Sequence, residues 1–136
     1  MKRLFVLCSA MLLFSCGNRE EVVEQTYPNG NKKIVMIYEG SDGKVVGQKS
    51  YYLGGQVEVT GQFDANAKRS GKWIYYYENG NKWSECEYSS GIRNGNIVTY
   101  FENGNKRYQG NYADDNQAGH WIFYNGDGSI DNEKDY

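Results

Sequence analysis

The chain has 136 residues, with 15 basic and 17 acidic side chains and a formal net charge of −2. That balance excludes the global positive field that gathers nucleic acid. One histidine and three cysteines leave little material for a His/Cys metal cluster, while thirteen tyrosines and three tryptophans are more than one thin sheet can bury.

Met1-Lys2-Arg3 is a short basic start, and Leu4 to Phe14 is an apolar run of eleven residues. A helix needs about 20 residues to cross a bilayer, so the segment reads as a secretory signal peptide. The run stops at Leu13-Phe14-Ser15-Cys16-Gly17. That string resembles the lipobox of bacterial lipoproteins, with an aliphatic residue three before the cysteine and a small one just before it. The resemblance implies cleavage between Ser15 and Cys16 and acylation of Cys16, which becomes the lipid attachment point. An ordinary signal peptide cut near Ser15, or an uncleaved anchor, is the alternative. Cys8 fits worse because Leu7 precedes it. Each buried acyl methylene contributes ~0.8 kcal/mol, so several chains would hold the domain on a membrane. No acidic residue directly follows Cys16, which by the same resemblance favours the outer over the inner membrane of a bacterial envelope.

Removing residues 1–15 takes Lys2 and Arg3 with it and leaves a net charge of about −4. Residues 16–26 then comprise the acylated cysteine and a polar stretch, NREEVVEQT from Asn18 to Thr26, which reads as a short tether. Cys86 becomes the remaining unmodified thiol, so no intrachain disulfide can form.

Residues 27–136 form a repeat domain. GKWIYYYENGNKWSECEYSSGIRN, Gly71 to Asn94, is followed at once by GNIVTYFENGNKRYQGNYADDNQA, Gly95 to Ala118, and the pattern restarts at Gly119. Anchor glycines fall at Gly30, Gly55, Gly80, Gly104 and Gly128, in steps of 25 and then 24. Eight residues after each anchor stands an aromatic: Tyr38, Phe63, Tyr88, Tyr112 and Tyr136. About five units result, the first lacking its front half. In such arrays each unit buries its apolar face against its neighbours.

Inside a unit the apolar residues alternate. Trp73, Tyr75 and Tyr77 point one way, Ile74 and Tyr76 the other, until Glu78-Asn79-Gly80-Asn81 interrupts and Lys82 to Tyr88 alternates again. Alternation around Asn-Gly predicts a hairpin with a tight turn whose two central residues both need positive φ. The second connection, Ser89 to Asn94, contains glycine and suits a bulged or wider loop. Successive hairpins should pair edge to edge into an all-β, elongated, twisted antiparallel sheet, with no helix in the array.

Two sets of columns compete for the core. Ile74, Val98 and Ile122 align with Tyr76, Tyr100 and Tyr124 on one face, and Trp73, Ile97 and Trp121 line the other. On the back strands Phe63, Tyr88 and Tyr112 run beside a small slot filled by Gly61, Cys86 and Gly110. A glycine there leaves room for a ring to lie over the sheet, and Cys86 reads as a small residue on a crowded face.

The pattern G-x-W-x-x-Y-Y-x-N-G-x-K, with an aromatic eight residues after the anchor, resembles the bacterial variant of the MORN repeat. The likeness covers Tyr27 to Tyr136. It implies tandem hairpins in an elongated twisted sheet, and roles in membrane lipid binding, dimerisation or scaffolding. Bacterial members often carry an antitoxin-like label. The second unit departs from the pattern, with Gln48-Lys49-Ser50 in place of Trp73-Ile74-Tyr75 and Leu53-Gly54-Gly55 in the turn. Units one and two are therefore expected to be looser caps.

No nucleophile elbow, phosphate loop or zinc-binding helix motif occurs, so no enzyme, cofactor or metal is expected. His120 shares its slot with Lys72 and Asn96 and reads as a solvated loop residue. Asp114-Asp115-Asn116 and Asp127 to Asp131 offer loop oxygens without EF-hand spacing. Two surface features remain. Lys32, Lys82 and Lys106 recur two residues after the anchor, flanked by Lys33 and Arg107, either as a basic row for acidic partners and lipid headgroups or as protection of strand ends. Tyr77, Trp83 and Phe101 are aromatic positions for contact with protein or glycan. The sequence thus points to a lipid-anchored binding or scaffolding protein of a bacterial envelope with a protein partner. Recognition of glycans or phospholipid headgroups is a second reading, and an immunity or antitoxin-like inhibitor a third. The two free sheet edges also allow edge-to-edge homo-oligomers.

Overall fold

A computed structural model describes residues 18–136; the segment read as a signal peptide and the expected acylation at Cys16 lie outside the described residues. Ten strands form a single open antiparallel sheet in chain order. They are β1 (Arg19–Thr26), β2 (Lys32–Glu39), β3 (Lys44–Tyr51), β4 (Val57–Phe63), β5 (Arg69–Tyr76), β6 (Lys82–Ser89), β7 (Ile92–Tyr100), β8 (Lys106–Ala113), β9 (Asn116–Tyr124) and β10 (Ile130–Asp135). The all-β hairpin array read from the alternation is therefore the fold, and each unit contributes two adjacent strands.

The sheet begins earlier than the repeat pattern implies. Arg19–Thr26, read from its polarity as a tether, is β1 and pairs with β2 from Arg19↔Glu39 to Thr26↔Lys32. Val22 is its one half-buried residue. An edge strand can be this polar because its partner supplies the backbone hydrogen bonds, and its charges discourage further pairing. The first unit thus has its front strand.

The two connections also exchange roles. At the Asn-Gly turn, Gly80 N–H donates to the Tyr77 carbonyl at 2.9 Å and Tyr77 N–H donates to the Asn81 carbonyl at 2.8 Å. Gly80 has φ +87°, while Asn79 is not left-handed. The register slips here, from Tyr75↔Ser84 to Tyr76↔Lys82. This is a three-residue loop closed by a left-handed glycine and a bulge, not the two-residue primed turn expected. The two-residue turns lie at the other connection. Ser90 (φ 50°) and Gly91 (φ 90°) join the paired Ser89 and Ile92. Asp114 (φ 49°) and Asp115 (φ 65°) likewise join Ala113 and Asn116.

Directly opposed residues share a face in an antiparallel pair. Through Trp73↔Cys86, Cys86↔Ile97 and Ile97↔Gly110 one face carries the tryptophan column. Trp73 (1% exposed), Cys86, Ile97 and Trp121 (1%) are buried, so the core of units three to five lies on this face. The ring over each glycine belongs to the facing front strand: a Cβ on Gly61 would fall inside the Trp73 indole, and one on Gly110 inside that of Trp121. The back-strand aromatics flank these indoles edge-on. Phe63 and Tyr88 lie 5.3 and 6.4 Å from Trp73, and Tyr112 and Tyr136 lie 5.3 and 5.9 Å from Trp121.

The opposite column of Ile74, Tyr76, Val98, Tyr100, Ile122 and Tyr124 is only half-buried. At the N-terminal end Val35, wholly buried, lies on that face through Val35↔Lys49, Lys49↔Thr60 and Thr60↔Ile74. The packed side of the sheet therefore changes along the array.

Candidate binding surface

The asparagines and tyrosines of the turns tie each unit to the next. The Tyr27, Tyr52 and Tyr77 hydroxyls donate to the carbonyls of Tyr51, Tyr76 and Tyr100, at 2.7–2.8 Å. Asn81 Nδ2 donates to the Glu102 carbonyl (2.8 Å), and Asn103 and Asn105 donate to that of Gly126 (2.8 and 2.9 Å). Tyr77 is thus occupied in joining units three and four. Phe101 sits in the same slot without a hydroxyl and lies half-buried.

The lysine row is partly folded onto its own strands. Lys82 Nζ reaches Glu85 Oε1 at 3.0 Å, and Lys106 Nζ reaches Gln109 Oε1 at 2.8 Å. Lys32 is exposed. Glu85 also accepts from the Tyr100 hydroxyl at 2.8 Å and lies 3.6 Å from Lys72. Burial and that carboxylate push the Tyr100 hydroxyl up to about 12. Burial works to raise the Glu85 carboxyl, but the bonds from Lys82 and Tyr100 outweigh it and hold it below its ordinary value. This face spends its charges internally.

The tryptophan face differs. Between the Trp73 and Trp121 clusters, unit four has Ile97 where its neighbours have an indole, and the surface opens into a groove of about 330 Å³. Its floor includes Cys86, Ile97 and Thr99, and Tyr75, Tyr88 and Tyr108 stand at its sides. Trp83 borders it, 45% exposed, with its ring edge-on to Tyr75 at 5.7 Å. Arg93 and Arg107 supply its charge. Arg93 Nε donates to Asp115 Oδ1 at 2.8 Å, and its guanidinium lies 4.0 Å from the Tyr112 ring centre. Arg107 lies 5.8 Å from the Phe101 ring centre and makes no ion pair among the described residues. The Thr99 hydroxyl is buried without a hydrogen-bond partner among the described residues. Burial pushes the Cys86 thiol up to about 11, which leaves it protonated and a poor nucleophile.

Of the residues singled out from sequence, the structure places Trp83 at this groove and Phe101 beside Arg107. Tyr77 and the lysines lie outside its lining. Arg93 and Thr99 were not singled out, and Arg107 was read only as a flank of the lysine row. The pairing of Arg107 with Trp83 was visible, since each stands three after its anchor, and so was Ile97 as the odd member of its column. A larger depression, about 430 Å³, lies around Lys49, Tyr51 and Tyr76; its lysine is already paired with Glu21 at 2.6 Å.

His120 is not in a loop. It lies in β9 with Nδ1 2.8 Å from Asp135 Oδ1 and Nε2 2.7 Å from Glu133 Oε2, both on β10. The loop oxygens are engaged too: Asp115 binds Arg93, and Asp127 accepts from the Ser129 backbone and hydroxyl.

Units three and four match in tandem the family described as MORN repeat variant, over residues 69–90 and 93–114. The two matched repeats suggest a repeat-based binding or scaffolding module. No curated protein matches the chain.

Proposed function

We propose that the chain is a non-enzymatic, lipid-anchored binding module of a bacterial envelope, held through acylated Cys16 and presenting its tryptophan face to a protein partner. The observation that carries this reading is the groove over Ile97. It joins exposed aromatic surface at Trp83 to two arginines, in a sheet whose recurring residues are otherwise used to join units. Aromatic residues and arginine are the side chains that dominate binding energy at protein interfaces. The opposite face lacks that combination, because Glu85 neutralises Lys72 and Lys82.

Two experiments test it. Radiolabelled palmitate should enter the full chain and be lost in Cys16→Ala, with the wild type recovered in the outer-membrane fraction. Photo-crosslinking from position 83 in intact cells should yield a defined adduct with one protein. Adducts no different from those formed at a position on the Lys82 face would count against this face as the binding surface.

A further inference from the structure

Units three and five each lay an indole over a glycine of the neighbouring strand, Trp73 over Gly61 and Trp121 over Gly110. Unit four sets Ile97 opposite Cys86 instead. The side chain on the back strand has grown, the one on the front strand has shrunk, and the ring layer of the face is interrupted at that point.

We propose that this interruption is a docking site for one aromatic side chain of a partner polypeptide whose neighbouring residues are acidic. The guest ring lies over Ile97 and Cys86 and continues across them the ring layer of Trp73 and Trp121. The proposal rests on the binding-module reading above and specifies its site. Tyr88 and Tyr108 stand on either side, so a guest ring meets tyrosine rings as the resident indoles do, Tyr88 being edge-on to Trp73 and Tyr108 tilted against Trp121. The charge has the opposite sign to that of the whole chain. The net charge is −2, yet among the described residues the groove is lined by Arg93 and Arg107 and by no carboxylate. Such a local reversal selects an acidic partner. Arg107, without a carboxylate of its own among the described residues, is the stronger anchor; Arg93 is shared with Asp115.

The test uses the full chain in detergent and a fluorescent peptide carrying one tryptophan between Asp-Glu pairs. Control peptides replace the tryptophan by alanine or the acids by lysine. The acidic tryptophan peptide should bind about ten-fold tighter than either control. Cys86→Gly with Ile97→Trp rebuilds the sister units' pair and should abolish that preference. Arg107→Gln, an exposed change that leaves the fold intact, should weaken binding about five-fold or more. Equal binding of all three peptides overturns the proposal, as does binding insensitive to both variants. So does a preference for an anionic glycan or anionic lipid vesicles over the peptide. The outcomes separate the two levels of inference. A crosslinked envelope protein whose capture ignores both variants removes this site and leaves the binding-module reading standing. Absence of any specific adduct removes that reading itself.

Discussion

Cys86 faces Ile97 directly across β6 and β7, in the place where the units on either side set a glycine against a tryptophan. The two positions trade volume. An indole fits only where the facing residue has no Cβ, and a thiol fits only where the facing side chain is small. Cys86→Gly alone should cost about 1–2 kcal/mol by leaving a void, and Ile97→Trp alone about 1–3 kcal/mol by overpacking. Together they should recover at least about 1 kcal/mol relative to the sum, read from urea melts as a double-mutant cycle. Strict additivity would show that the two side chains do not share one space.

The same packing decides which column is the core. Trp121 is 1% exposed, whereas Tyr100 is half-buried and bonded to Glu85. Trp121→Ala should cost about 3–5 kcal/mol and Tyr100→Ala about 2 kcal/mol, the latter including its hydrogen bond. Chemical denaturation of the two variants checks the order; a larger loss at Tyr100 would place the core on the wrong face.

Much of this was legible in the residues, and the failures have a common cause. Period-two alternation and the anchor glycines revealed the strands because those signals are local. The turn assignments failed because Asn79 and Asn81 act between units: the Nδ2 of each donates to the Glu102 carbonyl of the next unit, at 3.2 and 2.8 Å. Asparagine there serves the neighbour rather than a left-handed backbone. β1 was missed because its order comes from pairing with β2, and REEVVEQT has little apolar surface of its own. The groove stayed hidden because it arises from one departure, Ile97 for tryptophan, whose meaning depends on the residue across the strand.

The asparagine ties suggest a stabilising change. Unit two has Gly54 and Gln56 where the other turns place Asn79 and Asn81, and the step from unit two to unit three is held at its turn by the Tyr52 hydroxyl alone among the described hydrogen bonds. Gly54→Asn with Gln56→Asn should add the missing tie to the turn of unit three. The combined change also removes the Gln56 side chain, which a Cβ at position 54 would meet at 2.5 Å. A gain of about 0.5–1.5 kcal/mol is expected. An unchanged or lower midpoint in thermal melts would mean that the ties guide register without adding stability.

Ala67 closes the loop from Asp64 to Lys68 as Gly80 closes its own, with φ 57° and its N–H donating to the Asp64 carbonyl at 3.0 Å. A left-handed alanine costs about 1 kcal/mol or more relative to glycine, less what glycine returns through its looser unfolded chain. Ala67→Gly should therefore raise stability by roughly 0.5–1 kcal/mol. Ala67→Val should lower it further than Ala67→Gly raises it, and the pair of thermal midpoints tests the sign.

The last strand carries a pH-dependent clasp. Asp135 and then Glu133 hydrogen-bond the His120 imidazole and raise its pKa above its ordinary value. A group whose folded pKa is raised adds stability that is fully present below the unfolded value of about 6.5 and is lost as pH rises through the raised folded value. His120 is exposed, so the effect should be confined to the β9–β10 edge. Amide hydrogen exchange in β10 should be faster in His120→Gln than in the wild type near pH 5.5, when both are measured at the same pH. The two should converge at alkaline pH, where the imidazole has lost its proton. A difference that persists unchanged at alkaline pH would assign the clasp to neutral hydrogen bonding, with the charge of the imidazolium making no contribution.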